Sequence, residues 1–111
     1  MIEVEIKKFL DGHLNVPSFF ERENSMPTSY VVVERTGGRS ENKLKSSTFA
    51  IQSYAPSLYE AASLNEQVKE VMELFDHVDI VSGVHLNSDY NFTDTETKEY
   101  RYQAVFDINH Y

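Results

Sequence analysis

Thr48-Phe-Ala-Ile-Gln-Ser-Tyr-Ala-Pro-Ser-Leu-Tyr-Glu60 passes from strand chemistry to helix chemistry across one proline. Residues Thr48 to Tyr54 alternate, with Phe49, Ile51 and Ser53 on one side and Ala50, Gln52 and Tyr54 on the other. Pro56 ends the strand because it has no amide to donate. Ser57 and Glu60 then form a capping box, in which the hydroxyl takes an unpaired helix amide and the carboxylate reaches back to the cap. From there to Phe75, the residues Leu58, Ala61, Ala62, Leu64, Val68, Val71, Met72 and Phe75 fill an arc of roughly 180°. Glu60, Ser63, Glu66, Gln67, Glu70 and Glu73 hold the other side. A stripe that wide predicts a helix lying flat on a sheet. Asn65 interrupts it and is expected to bond a nearby backbone group. Tyr59 and Leu74 lie on the acidic side, where an adjacent loop or an oligomer contact would cover them.

Working back towards the start, Ile2, Val4 and Ile6 alternate as in a strand, yet Ile2, Ile6, Phe9, Leu10 and His13 share one helical face. The pattern predicts a short helix from Ile2 to Leu10, with Gly12 as its terminator. Val16 to Glu21 reads as a short extended segment that Pro17 limits to a sheet edge or to a strand start. Asn24 to Thr28 is a turn. Tyr30-Val-Val-Val-Glu-Arg-Thr36 is dense in β-branched residues and predicts a strand, which Gly37-Gly38 should stop. The polar run from Gly37 to Ser47 then reads as a loop. Its Arg39, Lys43 and Lys45 form the most basic patch of the chain and mark it as a candidate partner contact.

Working forward, Val81 to Phe92 predicts a long strand that bends at Gly83. Thr93 to Glu99 is a polar turn. Tyr100 to Tyr111 is the cleanest alternation in the chain. Tyr102, Ala104, Phe106 and Ile108 should meet a core, while Arg101, Gln103, Asp107 and Asn109 face water or a partner. The two stretches together suggest an antiparallel hairpin. The resulting expectation is an α+β fold spanning residues 1–111 as one domain. Its sheet would be antiparallel, of four to five strands, with two helices packed on one face.

The chain has 18 acids against 10 bases, for a net charge of −8. That argues against a phosphate-gripping surface but suits one past which DNA slides without sticking. With no cysteine, disulfides and thiolate metal sites are absent. The acids in Met1-Ile-Glu-Val-Glu-Ile do not suit a secretory signal, and no apolar run is long enough for a membrane helix. A soluble protein made in the cytoplasm is expected. No phosphate loop, nucleophile elbow or HExxH motif occurs, and no catalytic residue, cofactor or metal is expected. Asp89-x-Asn91-x-Thr93-Asp94 opens like a calcium loop, but Asp94 stands at the obligatory glycine and Tyr100 at the bidentate glutamate. His85 and His110 could be neighbours across the last hairpin beside Asp89 or Asp107, which leaves a small hydrolytic or ligand-binding site as the competing class.

Several stretches together resemble one family. They are Val16-Pro17 with Phe20-Glu21, Pro27-x-x-Tyr30-Val-Val-Val-Glu-Arg-Thr-Gly-Gly38, Thr48-Phe-Ala-Ile-Gln-Ser-Tyr-Ala55 and Leu58-Tyr-Glu-Ala-Ala62. Leu86-Asn-Ser-Asp-Tyr-Asn-Phe-Thr93 and Tyr100-Arg-Tyr-Gln-Ala-Val-Phe-Asp107 complete the set. This pattern resembles the tail-terminator, or tail-to-head joining, proteins of long-tailed bacteriophages and prophages. The resemblance covers nearly the whole chain and carries over no catalytic residue. It implies helices on an antiparallel sheet and assembly into a ring, usually a hexamer, that caps the tail tube and joins it to the head connector. The implied partners are further copies of the chain, the major tail tube protein and the connector proteins, with DNA passing through and no membrane. The implied location is the neck of the virion, and a head-closure or other neck component is the nearest variant of that reading. Candidate interface residues are Arg39, Lys43, Lys45, Arg101, Gln103, Asp107 and Asn109.

Overall fold

The computed structural model describes residues 1–41 and 43–111. Its elements in order are α1 (Ile2–His13), β1 (Ser18–Phe19), β2 (Tyr30–Glu41), β3 (Leu44–Tyr54), α2 (Leu58–Phe75), β4 (Val81–Asn91) and β5 (Arg101–His110). The strands form one sheet in the order β1-β2-β3-β5-β4. Every pairing is antiparallel except β1 with β2, so the sheet is mixed only at its two-residue edge strand. The fold is α+β, with both helices on one face. α2 packs over β3, β5 and β4, while α1 packs beside it against β1 and β2.

Alternation explains the core. Val31 and Val33 of β2, Phe49 and Ile51 of β3, and Ala104, Phe106 and Ile108 of β5 all point at the helices and are buried. They meet Ile2, Ile6 and Leu10 of α1 and Leu64, Val68, Val71, Met72 and Phe75 of α2. Each large side chain fully removed from water contributes about 2–3 kcal/mol. α2 starts where the capping box requires. The Glu60 amide donates to Ser57 Oγ at 3.2 Å, and that hydroxyl donates to Glu60 Oε2 at 3.0 Å. Leu58, read as part of the apolar stripe, instead lies 40% exposed at the first turn. Tyr59 and Leu74 are open to solvent, with no loop over them.

Three local readings change. α1 continues to His13, placing Gly12 inside its last turn rather than after it. Phe9 explains the extension: His13 stacks on its ring at 4.1 Å and His13 Nδ1 lies 2.8 Å from its carbonyl oxygen. Gly37-Gly38 does not stop β2, and the segment read as a loop from Gly37 to Ser47 is strand from Gly37 to Glu41 and again from Leu44 to Ser47. The part of that loop reading that falls on Asn42 lies outside the described residues. A register shift between Arg35 and Gly37 absorbs the glycines, and pairing resumes from Gly37–Thr48 to Glu41–Leu44. Lys43, at φ 68°, makes the turn in the left-handed region. Asn65, finally, bonds a side chain rather than the backbone, its Nδ2 donating to Asp89 Oδ1 at 3.3 Å.

β4 bends where Gly83 stands, with a register shift between Val81 and Gly83, and shifts again between Leu86 and Ser88. The second shift reverses which residues face the helices. It turns Asp89 towards α2, where Lys69 reaches it at 3.4 Å while also pairing with Glu66 at 2.8 Å. Those carboxylates, Glu66 first, hold the Lys69 ammonium above its ordinary pKa. One bulge therefore ties the outer strand to the long helix.

Candidate functional site

The sheet face away from the helices divides in two. At the end where β2 starts, Tyr30 and Tyr54 stack at 4.7 Å, and Val32, Phe19 and Met26 complete a small buried cluster. The connection between β1 and β2 crosses this cluster, and its Arg22 bonds Glu99 from the β4–β5 connection at 3.0 Å. Arg22 also lies over the Tyr54 ring at 5.4 Å. Arg101, expected to face a partner, is engaged within the fold. It donates to the Phe92 carbonyl at 2.7 Å and to Tyr54 Oη at 3.0 Å, and covers the Phe92 ring. Gln103 is likewise not free: it is buried between Gln52, which donates to it at 2.9 Å, and the Tyr90 hydroxyl, to which it donates.

At the other end, an open depression of about 510 Å³ is lined by Gly38, Arg39, Ser46, Thr48, His85, Asp107 and Asn109. Both Asp107 carboxylate oxygens are occupied, by Asn87 Nδ2 at 3.0 Å and by Thr48 Oγ1 at 2.8 Å. These two donors hold Asp107 below its ordinary pKa, with smaller help from His85 and Arg39. His85 sits opposite Asp107 in register. His110 does not join them. It falls on the same side as Ile108, is buried, and shares a 2.8 Å hydrogen bond with Ser47 Oγ. Burial pushes its pKa down. The paired-histidine reading therefore fails on geometry, because the two rings lie on opposite faces of the sheet. Parity alone would have placed His110 with Ile108. Among the described residues, no group of three metal-ligating side chains converges.

The structure brings Arg39, Lys45 and Asn109 together around the hairpin end, where Arg39 and Asn109 also border Asp107. Lys43 stands at the turn itself. Arg39 lies on the open face, opposite Ser46, whereas Lys45 lies on the helix side, opposite His110, so the tip is cationic on both faces. Arg39, Lys43 and Lys45 make no ion pair among the described residues. Arg101 and Gln103 belong to the other end of β5 and do not share this surface.

Two further features were not read from the sequence. β1 pairs only with Val31 and Val32, which leaves the outer edge of β2 unpaired from Val33 to Glu41. On the far side of the sheet β4 is the edge strand, and its Val84 amide donates to Asp76 Oδ1 at 3.1 Å. The second feature is an acidic corner where α2 runs into β4. Glu73, Asp76 and Asp79 are all exposed there, and the last turn of α2 contains no basic residue to offset its dipole. Register would have been needed to find either feature. No helix of the described residues is long and apolar enough to cross a membrane. In comparisons with known proteins, no family model matches this chain and no curated protein matches it significantly.

Proposed function

We propose that this chain is a structural, non-enzymatic subunit of a long-tailed phage neck, forming a head-to-tail ring that caps the tail tube and joins it to the head connector. The observation that carries the reading is the pair of sheet edges, open on β2 from Val33 to Glu41 and on β4 apart from the Val84 amide that Asp76 accepts. Strands alternate in direction across β2, β3, β5 and β4, so the two outer ones run oppositely. A copy rotated about an axis along the strands, without being inverted, presents its β4 antiparallel to the first copy's β2. The contact joins two different surfaces of the same subunit, which is the condition for a closed ring. It also covers edges that would otherwise invite uncontrolled pairing.

Size supports the same reading. Each subunit contributes four long strands, and a barrel needs roughly 16 strands or more before its centre is an open channel. A six-membered ring would hold about 24 strands. At about 4.8 Å per strand that is a circumference of roughly 115 Å, enough for a duplex to pass. The helices would lie outside, where the circumference is larger, and the open face with few free cations would line the bore. The resemblance of the sequence to tail-terminator proteins supplies the partners and the location in the virion.

Native mass spectrometry of the protein, alone and with assembled tails, tests the proposal. Rings of one stoichiometry and incorporation at a single tail end are expected. Absence of the protein from purified tails and particles sinks the neck assignment. Infectious particles from a His85→Gln/His110→Gln phage are expected, and their loss would favour the ligand-binding class.

A further inference from the structure

We infer that the cationic β2–β3 tip is a pin between subunits: Arg39, Lys43 and Lys45 of one copy dock on the acidic α2–β4 corner, Glu73, Asp76 and Asp79, of the next. The inference rests on the ring reading and specifies its contact. Val81 lies opposite His110, and His110 lies opposite Lys45, so tip and corner occupy the same end of the sheet. Antiparallel pairing of β2 with a neighbour's β4 sets the last residue of β2 beside the first of β4. The tip of one copy then meets the corner of the next, where Asp76 accepts the Val84 amide at 3.1 Å and so ties the corner to the start of β4.

Both halves lack what the other supplies. The tip cations have no ion-pair partner among the described residues. The corner adds three carboxylates to the negative end of an 18-residue helix with no base in its last turn. Each patch also carries an exposed aliphatic side chain, Leu44 at 40% and Ile80 at 38% exposed, around which the charges can close and exclude water. A protein of net charge −8 repels its own copies, so association needs a local attraction of this kind. An inverted neighbour would carry both its tip and its corner to the opposite end of the sheet and so forgo this attraction.

Charge exchange tests the pin. Sedimentation or native mass spectrometry of the full chain at about 50 mM salt should show oligomers that weaken towards about 500 mM, where screening is strong. Lys43→Glu/Lys45→Glu should weaken association about tenfold or more, and Glu73→Lys/Asp79→Lys should do the same. Combining the four substitutions should restore it. Lys43→Gln/Lys45→Gln gives a milder version, and thermal melts of each variant separate misfolding from lost assembly. The inference is overturned if either pair leaves the oligomers unchanged, if the combination does not rescue, or if the wild-type chain stays monomeric at low salt. Rings that ignore the charge reversals would remove the pin and leave the ring reading standing. Absence from virions would remove the neck assignment and leave the pin intact.

Discussion

The two halves of the β2–β3 hairpin share strands and pairing yet live in different environments. In β2, Tyr30 to Val33 are buried, whereas Glu34 to Glu41 are exposed without a break. β3 mirrors this, from the exposed Leu44 and Lys45 to the buried Phe49, Ala50 and Ile51. The proximal half is held by side-chain burial under α1 and α2. The distal half is held by backbone ladders, with β5 on one side and no neighbour on the other. A sheet that extends beyond its own core spends chain entropy without gaining apolar burial. Such an extension becomes stable in full only when something covers it, and here the free edge and the basic tip belong to the same extension.

Substitutions at matched positions can break this contrast. The largest effect is expected in the proximal half: Phe49→Ala should cost about 3–5 kcal/mol, read as a fall in the denaturant midpoint, because the side chain is fully buried in the core, on the strand that packs under α2 and opposite Phe106 of β5. A loss below about 1 kcal/mol would mean that the core does not carry the hairpin. Next comes Gly38→Val, in the distal half. A Cβ there would sit 2.6 Å from Arg35 Nη2 and 3.1 Å from the Ser46 carbonyl oxygen. The Arg35 guanidinium must move and its contact with Glu3 at 3.8 Å is put at risk, for an expected cost of about 1–2 kcal/mol.

A smaller effect depends on pH. His110 is neutral in its buried site, and its folded pKa lies below the ordinary value of about 6.5. The unfolded chain therefore binds the proton first as pH falls. Stability linked to His110 is complete above about pH 6.5 and is lost as pH drops through the folded pKa. His110→Gln should flatten the stability profile below about pH 6.5. An unchanged slope in that variant would contradict the assigned burial. The smallest effect is Gly37→Ala: nothing lies within 4 Å of the added carbon and no glycine has positive φ, so the change should fall within about 0.5 kcal/mol. A large loss at Gly37 would show that the distal half is as tightly determined as the proximal one.

The core and the capped helix were legible because their signals are periodic. Phe49, Ile51, Ala104, Phe106 and Ile108 repeat every second residue, and the α2 stripe repeats at helical spacing. The distal hairpin was not legible for the same reason, since Gly37 to Lys45 has no apolar residue before Leu44. Two glycines followed by polar residues look alike in a loop and in an exposed ladder, and only pairing tells them apart. The interface residues divided similarly. Arg39, Lys45 and Asn109 do meet at one end of the sheet, where the end of β2, the start of β3 and the end of β5 lie side by side. Arg101 and Gln103 were lost from it to partners distant in sequence: Tyr54 for Arg101, Gln52 and Tyr90 for Gln103. The acidic corner went unnoticed because Asp76 to Asp79 reads as an ordinary turn until the start of β4 is placed beside the end of β5.

The Arg22–Glu99 contact has a kinetic consequence. It joins positions 77 apart in sequence, the longest span of any side-chain hydrogen bond among the described residues, whereas the β2–β3 ladder reaches in to the Glu41–Leu44 pair. Closing so long a loop delays the contact until both hairpins and the packed sheet exist. Arg22→Ala should therefore speed unfolding and leave the refolding rate nearly unchanged, as for any contact absent from the transition state. The strap across Tyr30 and Tyr54 would act as a latch on an already folded sheet, governing how long the native state lasts rather than how fast it is reached.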